Sequence, residues 1–441
     1  MSSVRADWPA GLSGVGLASG AYQGAVFWGT DTWVFPFFAA FHPQIAREAM
    51  LQYRVDRLGA ARLNAQRAGL QGAKYPWMSA ASGLETCVGV PGQEGHWARY
   101  ELHIAGDVAM AVQQYYQLSG DQDWLRRSGW PILQGCAQFW ASRVRTVGVN
   151  ASKYALDGVM GPDESVWPVN NSAYTNALAA ATLEFAAAAG SVVAEDFPAS
   201  VRDTWLRVAS GLRDSIPFDT GAQRHPEYDG YEGGVIKQAD AVLLQYPLEV
   251  TMPMHVRTND LEYYEARTSD RVSMNWQIYA IAEQRARRPG RAWELLSAAA
   301  HNATAGPFLV WQESVPSSIG LHTFLPGAGG FLQALVFGFG GLQLRPSTAG
   351  TTTASCVALV APAAPNGVPF TLHGLHFRGA CLRIEVRSSD VELRVLSGAA
   401  MQLVEGDATH PVRAGGPGVT FATGTSVLVC PAATIANDVD D

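Results

Sequence analysis

The sequence predicts a mainly helical protein, an α/α toroid followed by a small β domain. Three observations carry that prediction. From residue 43 to about residue 344, apolar residues recur at helical spacing. Between the helical runs lie long loops rich in Gly, Pro, Trp, Tyr and carboxylates. After Leu342 the apolar period falls to two. Paired helices forming a wall, with the aromatic loops gathered on one side as a cleft, suit this pattern, because long structured loops in a compact protein are usually functional.

The first predicted helix, 44–68, carries Ile45, Ala49, Tyr53, Val55, Leu58 and Leu63 at helical spacing. Segments 107–118, 131–147, 172–190, 199–212, 259–267, 272–287, 291–303 and 330–339 read likewise. The loops between them are 69–99, 155–171, 218–236 and 306–329. The expected division is a catalytic barrel over 1–345, a β domain over 346–435 and a disordered tail over 436–441. Residues 346–355 read as a Thr/Ala/Gly linker. Period-2 segments follow at Leu382, Ile384, Val386 and at Val391, Leu393, Val395, with Val427-Leu428-Val429 as a closing strand and turns at Asn366-Gly367 and Gly406-Asp407.

Composition narrows the function. The chain has 441 residues, 48% hydrophobic and 16% charged, with a net charge of −8. No basic run is longer than Arg285-Ala286-Arg287-Arg288, which argues against a nucleic-acid partner. No uninterrupted apolar run of about 18 residues is present, so no membrane span is expected. The opening shows no basic n-region followed by an apolar stretch, so no signal peptide is read and a cytoplasmic location is expected. Sequons occur at Asn150, Asn170 and Asn302. Cysteines at 87, 136, 356, 381 and 430 are odd in number and widely spaced, which gives neither a metal motif nor a disulfide framework; no metal or cofactor is expected. The 13 Trp and 14 Tyr suit a sugar cleft, whose substrate stacks C–H faces on indole, and suit a large core equally well.

The most informative stretch is Gly161-Pro162-Asp163-Glu164, followed by Asn170-Asn171-Ser172-Ala173-Tyr174-Thr175-Asn176. Two adjacent carboxylates at a loop mouth, just before a helix, suit general acid work; they also suit a solvated turn. Four further loops carry Trp, carboxylate, amide and ammonium groups. They are Phe27 to Pro36, with Trp28, Asp31 and Trp33; Gln71 to Trp77, with Glu101 and His103 beyond; His225 to Tyr231, leading to Lys237-Gln238-Ala239-Asp240; and Phe308 to Glu313, with Trp311.

This ordered set resembles glycoside hydrolase family 65. The residues that carry the resemblance are Phe27-Trp28 with Asp31, Trp33 and Phe35-Pro36; Gln71 to Trp77; Pro162-Asp163-Glu164 with Asn170 to Asn176; His225-Pro226-Glu227-Tyr228-Asp229-Gly230-Tyr231; Lys237 to Asp240; and Gly329-Gly330-Phe331-Leu332-Gln333-Ala334 with Val336-Phe337-Gly338. The resemblance implies an (α/α)6 barrel between an N-terminal β-sandwich and a C-terminal β domain, and inverting chemistry at an α-glucosidic bond, as in the members acting on glucosyl-α-1,2-galactosyl-hydroxylysine. By it Glu164 is the general acid, Lys237 and Gln238 hold glucose hydroxyls, and Trp28 is an aromatic wall of the glucose subsite. Asp31, Trp77, Asp163 and Trp311 complete the expected substrate-binding set. The acid must be protonated, through burial or a neighbouring carboxylate such as Asp163. Hydrolase members carry a Glu after an aromatic-rich segment, and Val310-Trp311-Gln312-Glu313 matches, so Glu313 is the expected general base. Gly320-Leu321-His322 echoes the phosphate element of the phosphorylase members, but sits too far from Gly329-Gly330 to match well.

Three departures stand against the family pattern. Gly29 occupies the position of an Asp that binds glucose hydroxyls, so a charge-assisted hydrogen bond of roughly 1.5–3 kcal/mol is absent. Glu164-Ser165-Val166 stands where Tyr and His usually follow the acid. The sandwich, the linker and the first barrel helix are also expected before residue 11, and a wall without a helix exposes apolar faces. The alternatives to a hydrolase are therefore a phosphorylase or trehalase of the same family, or a truncated sugar-binding remnant without catalysis.

Overall fold

The computed structural model describes residues 4–5, 7–8, 10–17, 20–87, 95–147, 153–269, 272–314, 321–344 and 356–432. It is 46% helical, with antiparallel sheets at the C-terminal end, and has the predicted architecture of an α/α toroid followed by a β domain. The principal helices are α1 (Phe35–Phe41), α2 (Leu58–Arg67), α3 (Ile104–Ser119), α4 (Trp130–Arg143), α5 (Ala173–Val193), α6 (Ala199–Arg213), α7 (Met254–Glu265), α8 (Trp276–Arg285), α9 (Pro289–Ala303) and α10 (Leu325–Gln333).

Composition separates inner from outer helices. Helix α5 is rich in Ala and buried nearly all round, which lets α3, α4 and α6 approach it closely. By length and hydropathy it could cross a bilayer, yet most of it is buried in the toroid, as suits a core helix. Ser172 caps its start by accepting from the Thr175 N–H at 3.3 Å. Helix α6 buries one face, Trp205, Val208, Ala209 and Leu212, and leaves the other to solvent.

The structure departs from the predicted elements at identifiable places. Residues 30–36, read from sequence as part of a loop, are helical: a π-type turn, Thr30–Val34, runs into α1. Pro36 disguises this segment. It occupies the first turn of α1, where a missing N–H costs little. Helix α4 stops at Arg143 rather than at 147. The β-branched residues Val144, Thr146 and Val147 turn extended instead, and Arg145–Val147 pairs with Lys153–Ala155. Helix α10 begins at Leu325, five residues early, with Pro326 in its first turn.

The β domain contains β1 (Leu342–Gln343), β2 (Val357–Val360), β3 (Phe370–Phe377), β4 (Ala380–Val386), β5 (Asp390–Gly398), β6 (Met401–Glu405), β7 (Ala408–Val412), β8 (Val419–Ala422) and β9 (Ser426–Pro431). Two antiparallel sheets form, in the orders β8-β5-β4-β3 and β7-β6-β9-β2-β1. Leu382, Ile384 and Val386 are buried opposite Val395, Leu393 and Val391. Gly406-Asp407 is the two-residue turn between β6 and β7. The predicted linker, 346–355, and the tail from 436 lie outside the described residues, as does Asn150. Strand β1 joins the second sheet from the barrel side of residue 345, so the sheet is built across that position. Arg378 locks the domain to the toroid: its N–H donates to Leu118 O at 2.6 Å and its Nε to Gln117 O at 3.1 Å, at the C-terminal end of α3.

The expectation of no disulfide is corrected here. Cys356 and Cys430 are bonded, 74 positions apart in sequence, across neighbouring strands of the second sheet. Spacing along the chain could not reveal a pair that only strand register brings together. Such a bridge constrains the unfolded chain, so replacing both residues with Ser should destabilise the protein by roughly 2–4 kcal/mol, read as a lower denaturation midpoint.

Candidate active site

Two loops, 161–164 and 237–240, are joined by reciprocal hydrogen bonds. Asp163 Oδ1 accepts from the backbone N–H groups of Lys237 and Gln238, the latter at 3.2 Å. In return Asp240 Oδ2 accepts from the Asp163 N–H at 3.2 Å. Gly161 makes this approach feasible, because a Cβ there would collide with Asp240 Oδ2. Asn275 supports the second loop, accepting from Ala239 N–H at 3.0 Å and donating to Lys237 O at 3.1 Å.

Glu164 stands at the tip of the first loop with φ +60°, in the left-handed region that non-glycine residues rarely adopt. Such strain is often retained where a side chain must be aimed. Its side chain is 5% exposed. Oε2 accepts from Lys237 Nζ at 2.7 Å and from Trp97 Nε1 at 2.8 Å, and Oε1 accepts from Gln238 Nε2 at 3.2 Å. Gln238 also donates to Pro162 O at 2.6 Å, which fixes its amide.

Glu313 reaches the same region from another element. Val310–Trp311 pairs with Thr304–Ala305, and the next residues are pinned by Glu313 N–H to Leu321 O at 3.0 Å and Ser273 N–H to Glu313 O at 2.8 Å. One carboxyl oxygen accepts from Tyr22 OH at 3.0 Å. Burial pushes this carboxyl above its usual range; the Tyr22 hydrogen bond and the Lys237 charge oppose the shift, and the Glu164 charge adds to it. The Lys237 side chain is 44% exposed, and its ammonium is held charged against partial desolvation by Glu164, Glu101 and Glu313.

Two buried polar clusters lie behind these groups. His103 is clamped between Glu101 Oε1 at 2.8 Å and Asp107 Oδ2 at 2.6 Å, and Tyr174 OH donates to Asp107 Oδ1 at 2.6 Å. Burial and the charge of Glu164 push the Glu101 carboxyl up to about 8. For His103, burial works against the charged ring, but Asp107 and Glu101 outweigh it and raise the imidazole to about 10. The second cluster is Glu227 with Asp240 and Asp163. Burial and mutual repulsion raise Glu227 well above the usual carboxylate range and Asp240 to about 7. Glu227 Oε1 and Asp240 Oδ1 have no hydrogen-bond partner among the described residues. No group of three or more His, Cys, Asp or Glu among the described residues is placed to hold a metal ion.

The structure thus brings together Glu164, Asp163, Lys237, Gln238 and Glu313, with Trp77 joined through its ring neighbour Trp97 at 5.9 Å. Asp163 is turned onto the 237–238 backbone, so it positions the loop. Three expected substrate contacts do not face this space. Asp31 is buried and spent on Arg54, at 2.5 Å and 3.2 Å, because a buried guanidinium needs a partner. Trp28 is fully buried, packed edge-on against Trp33 and His103 at 4.8 Å each, one layer behind the loops. Trp311 is buried against Phe331 and donates its indole N–H to Ser273 Oγ at 3.0 Å. Sequence reading missed Tyr22, Trp97 and Asp240. Tyr22 and Trp97 stand in no motif, and Asp240 looked like the end of one.

The Gly29 departure has a structural counterpart. A Cβ on Gly29 would lie 2.5 Å from the buried Phe27 ring, which fills the space a side chain there would need. Gly29→Asp should therefore destabilise the fold by about 1–3 kcal/mol, as overpacking does, and should not raise turnover. A melting curve beside a rate measurement checks both.

A carboxylate pair and indole rings gathered at one end of an α/α toroid fit the scaffold of a glycoside hydrolase. The chain belongs to glycosyl hydrolase family 65: the family's central catalytic domain matches residues 3–233 and 219–305. It is 42% identical to the protein-glucosylgalactosylhydroxylysine glucosidase of Mus musculus over 375 residues, 83% of this chain and 52% of that one. It is 37% identical to the kojibiose hydrolase of Mucilaginibacter mallensis over 349 residues, 78% of this chain and 48% of that one. In fold it is similar to a protein from the human microbiome assigned as a kojibiose phosphorylase, with TM-score 0.74 and 17% identity, over 95% of this chain and 63% of that one. The chain spans about half the length of the curated relatives it matches.

Proposed function

We propose that the chain carries an inverting α-glucosidase site acting on a glucosyl-α-1,2-galactosyl-hydroxylysine-like disaccharide, with Glu164 as general acid and Glu313 as general base. One observation carries the reading: two carboxyls on separate loops, each with its own donors, share the Lys237 ammonium as a neighbour. In the reaction Glu164, once protonated, gives its proton to the glycosidic oxygen as the bond to C1 breaks. Glu313 takes a proton from the water that attacks C1 from the opposite face. Lys237 and Gln238 orient the acid and offer donors to sugar hydroxyls. The substrate class is supported by the name of the mouse relative.

Phosphorolysis is the competing reading, because the fold is also that of a protein assigned as a phosphorylase. Charge disfavours it. Glu164 and Glu313 face Lys237, which leaves no surplus of positive charge among these groups for a phosphate dianion. In the Gly320-Leu321-His322 echo, Gly320 lies outside the described residues and His322 is bridged by its backbone to Gln312. Glucose release at a rate independent of added phosphate is the expected result; release that requires phosphate, with glucose 1-phosphate as product, would reverse the assignment.

A further inference from the structure

A continuous row of aromatic rings runs past both proposed catalytic carboxyls. It begins at Tyr22, the donor to Glu313, whose ring centroid lies 4.7 Å from that of Phe27. Phe27 meets Trp77 at 6.0 Å, and Trp77 meets Trp97 at 5.9 Å. Trp97 donates to Glu164. Beyond the acid the row continues for two more rings: Trp97 to His96 at 3.9 Å, then His96 to Trp167 at 3.9 Å with the planes only 8° apart.

The contact with the acid locates the far end of this row. In an inverting displacement the base and the acid stand on opposite sides of C1, and the leaving group departs on the acid's side. Trp97 donates to Glu164 and its ring touches His96, so the His96–Trp167 stack lies beside the acid, on the leaving-group side. Trp167 is also three residues from Glu164 in sequence. It stays 39% exposed, beside Val166 at 47%. One of its faces is stacked on His96, so its exposed area is an aromatic surface held in a fixed plane. A large indole left open on a rigid stack is poorly explained by core packing and well suited to the C–H face of a pyranose.

We propose that the His96–Trp167 stack is the subsite for the second sugar, the leaving group of the disaccharide. The proposal rests on the glucosidase reading above and adds what that reading leaves open, namely which residues recognise the aglycone. It makes Trp167 a residue that determines specificity, acting on how well a sugar leaving group is held, and His96 the residue that keeps its plane.

The test compares two substrates with the same glucose and different leaving groups: glucosyl-α-1,2-galactose, and α-glucosyl fluoride, which has no second sugar to stack. Trp167→Ala should lower the ratio of kcat/KM for the disaccharide to kcat/KM for the fluoride by about tenfold, the size of one aromatic contact of ordinary strength, mainly through KM for the disaccharide. Trp167→Tyr, which keeps a ring face, should hold the ratio within about threefold of the parent value. An unchanged ratio in Trp167→Ala, whether both activities fall together or neither does, overturns the subsite and leaves the catalytic assignment standing. Turnover of neither substrate by the parent chain overturns the glucosidase reading, and the subsite with it.

Discussion

Replacing Glu164 or Glu313 by Gln should each lower kcat on the disaccharide by about 10²–10⁴-fold, the usual contribution of a positioned acid or base. The structure makes these clean substitutions. The loop that aims residue 164 is held by Asp163 and Asp240, not by the Glu164 carboxylate. A Gln at 164 can keep its oxygen toward Lys237 and Trp97, losing only the contact with Gln238, worth about 1 kcal/mol. The two variants should separate on α-glucosyl fluoride. Fluoride leaves without a proton, so Glu164→Gln should recover much of its rate there. Glu313→Gln should not, because water still has to be deprotonated. If Glu313→Gln were fully active on the disaccharide, another group would have to be the base.

The second large effect is on stability against pH. Asp240 is raised to about 7 and Glu101 to about 8, and Glu227 is raised well above the usual carboxylate range. Groups raised in the folded state keep protons that the unfolded chain has lost. Their contribution is complete below the unfolded carboxylate values and disappears as pH climbs through the folded ones. His103, raised to about 10, acts with the same sign above its ordinary value. The lowered carboxylates, such as Asp157 and Glu48, act only in the acidic range below the window considered. Unfolding free energy should therefore fall from pH 5 to pH 8, by about 1.4 kcal/mol per pH unit for each extra proton the native state holds. Asp240→Asn mimics the protonated form and can still accept from the Asp163 N–H. Its stability relative to the parent should improve as pH rises above about 7. Denaturant titrations at pH 5 and pH 8 check this; parallel profiles for parent and variant would contradict the raised Asp240 carboxyl.

Much of this architecture was legible because it rests on periodicity. The helical wall and the alternating strands around Ile384 and Leu393 follow from where apolar residues recur. The helical segment at residues 30–36 was hidden because Pro36 reads as a breaker unless its place in the first turn is known. The disulfide was hidden because strand register, not spacing, makes Cys356 and Cys430 neighbours. At the site, the sequence pointed to Glu164, Lys237, Gln238 and Glu313 because they stand in ordered motifs. Asp31 shows the limit of that approach: its motif says nothing of Arg54, 23 residues away, which takes both of its oxygens. Tyr22 and Trp97 are supplied by tertiary contacts alone, and only coordinates could place them beside the carboxyls.

The central claim is that Glu164 and Glu313 work from opposite faces of one sugar. It is tested most directly by following, with proton NMR, the anomer of glucose first released from glucosyl-α-1,2-galactosyl-hydroxylysine, before mutarotation. Initial release of β-glucose, without phosphate and lost in Glu164→Gln, is the predicted result. Initial release of α-glucose would contradict it, because retention requires a covalent intermediate on one carboxylate and leaves no place for a general base on the opposite face.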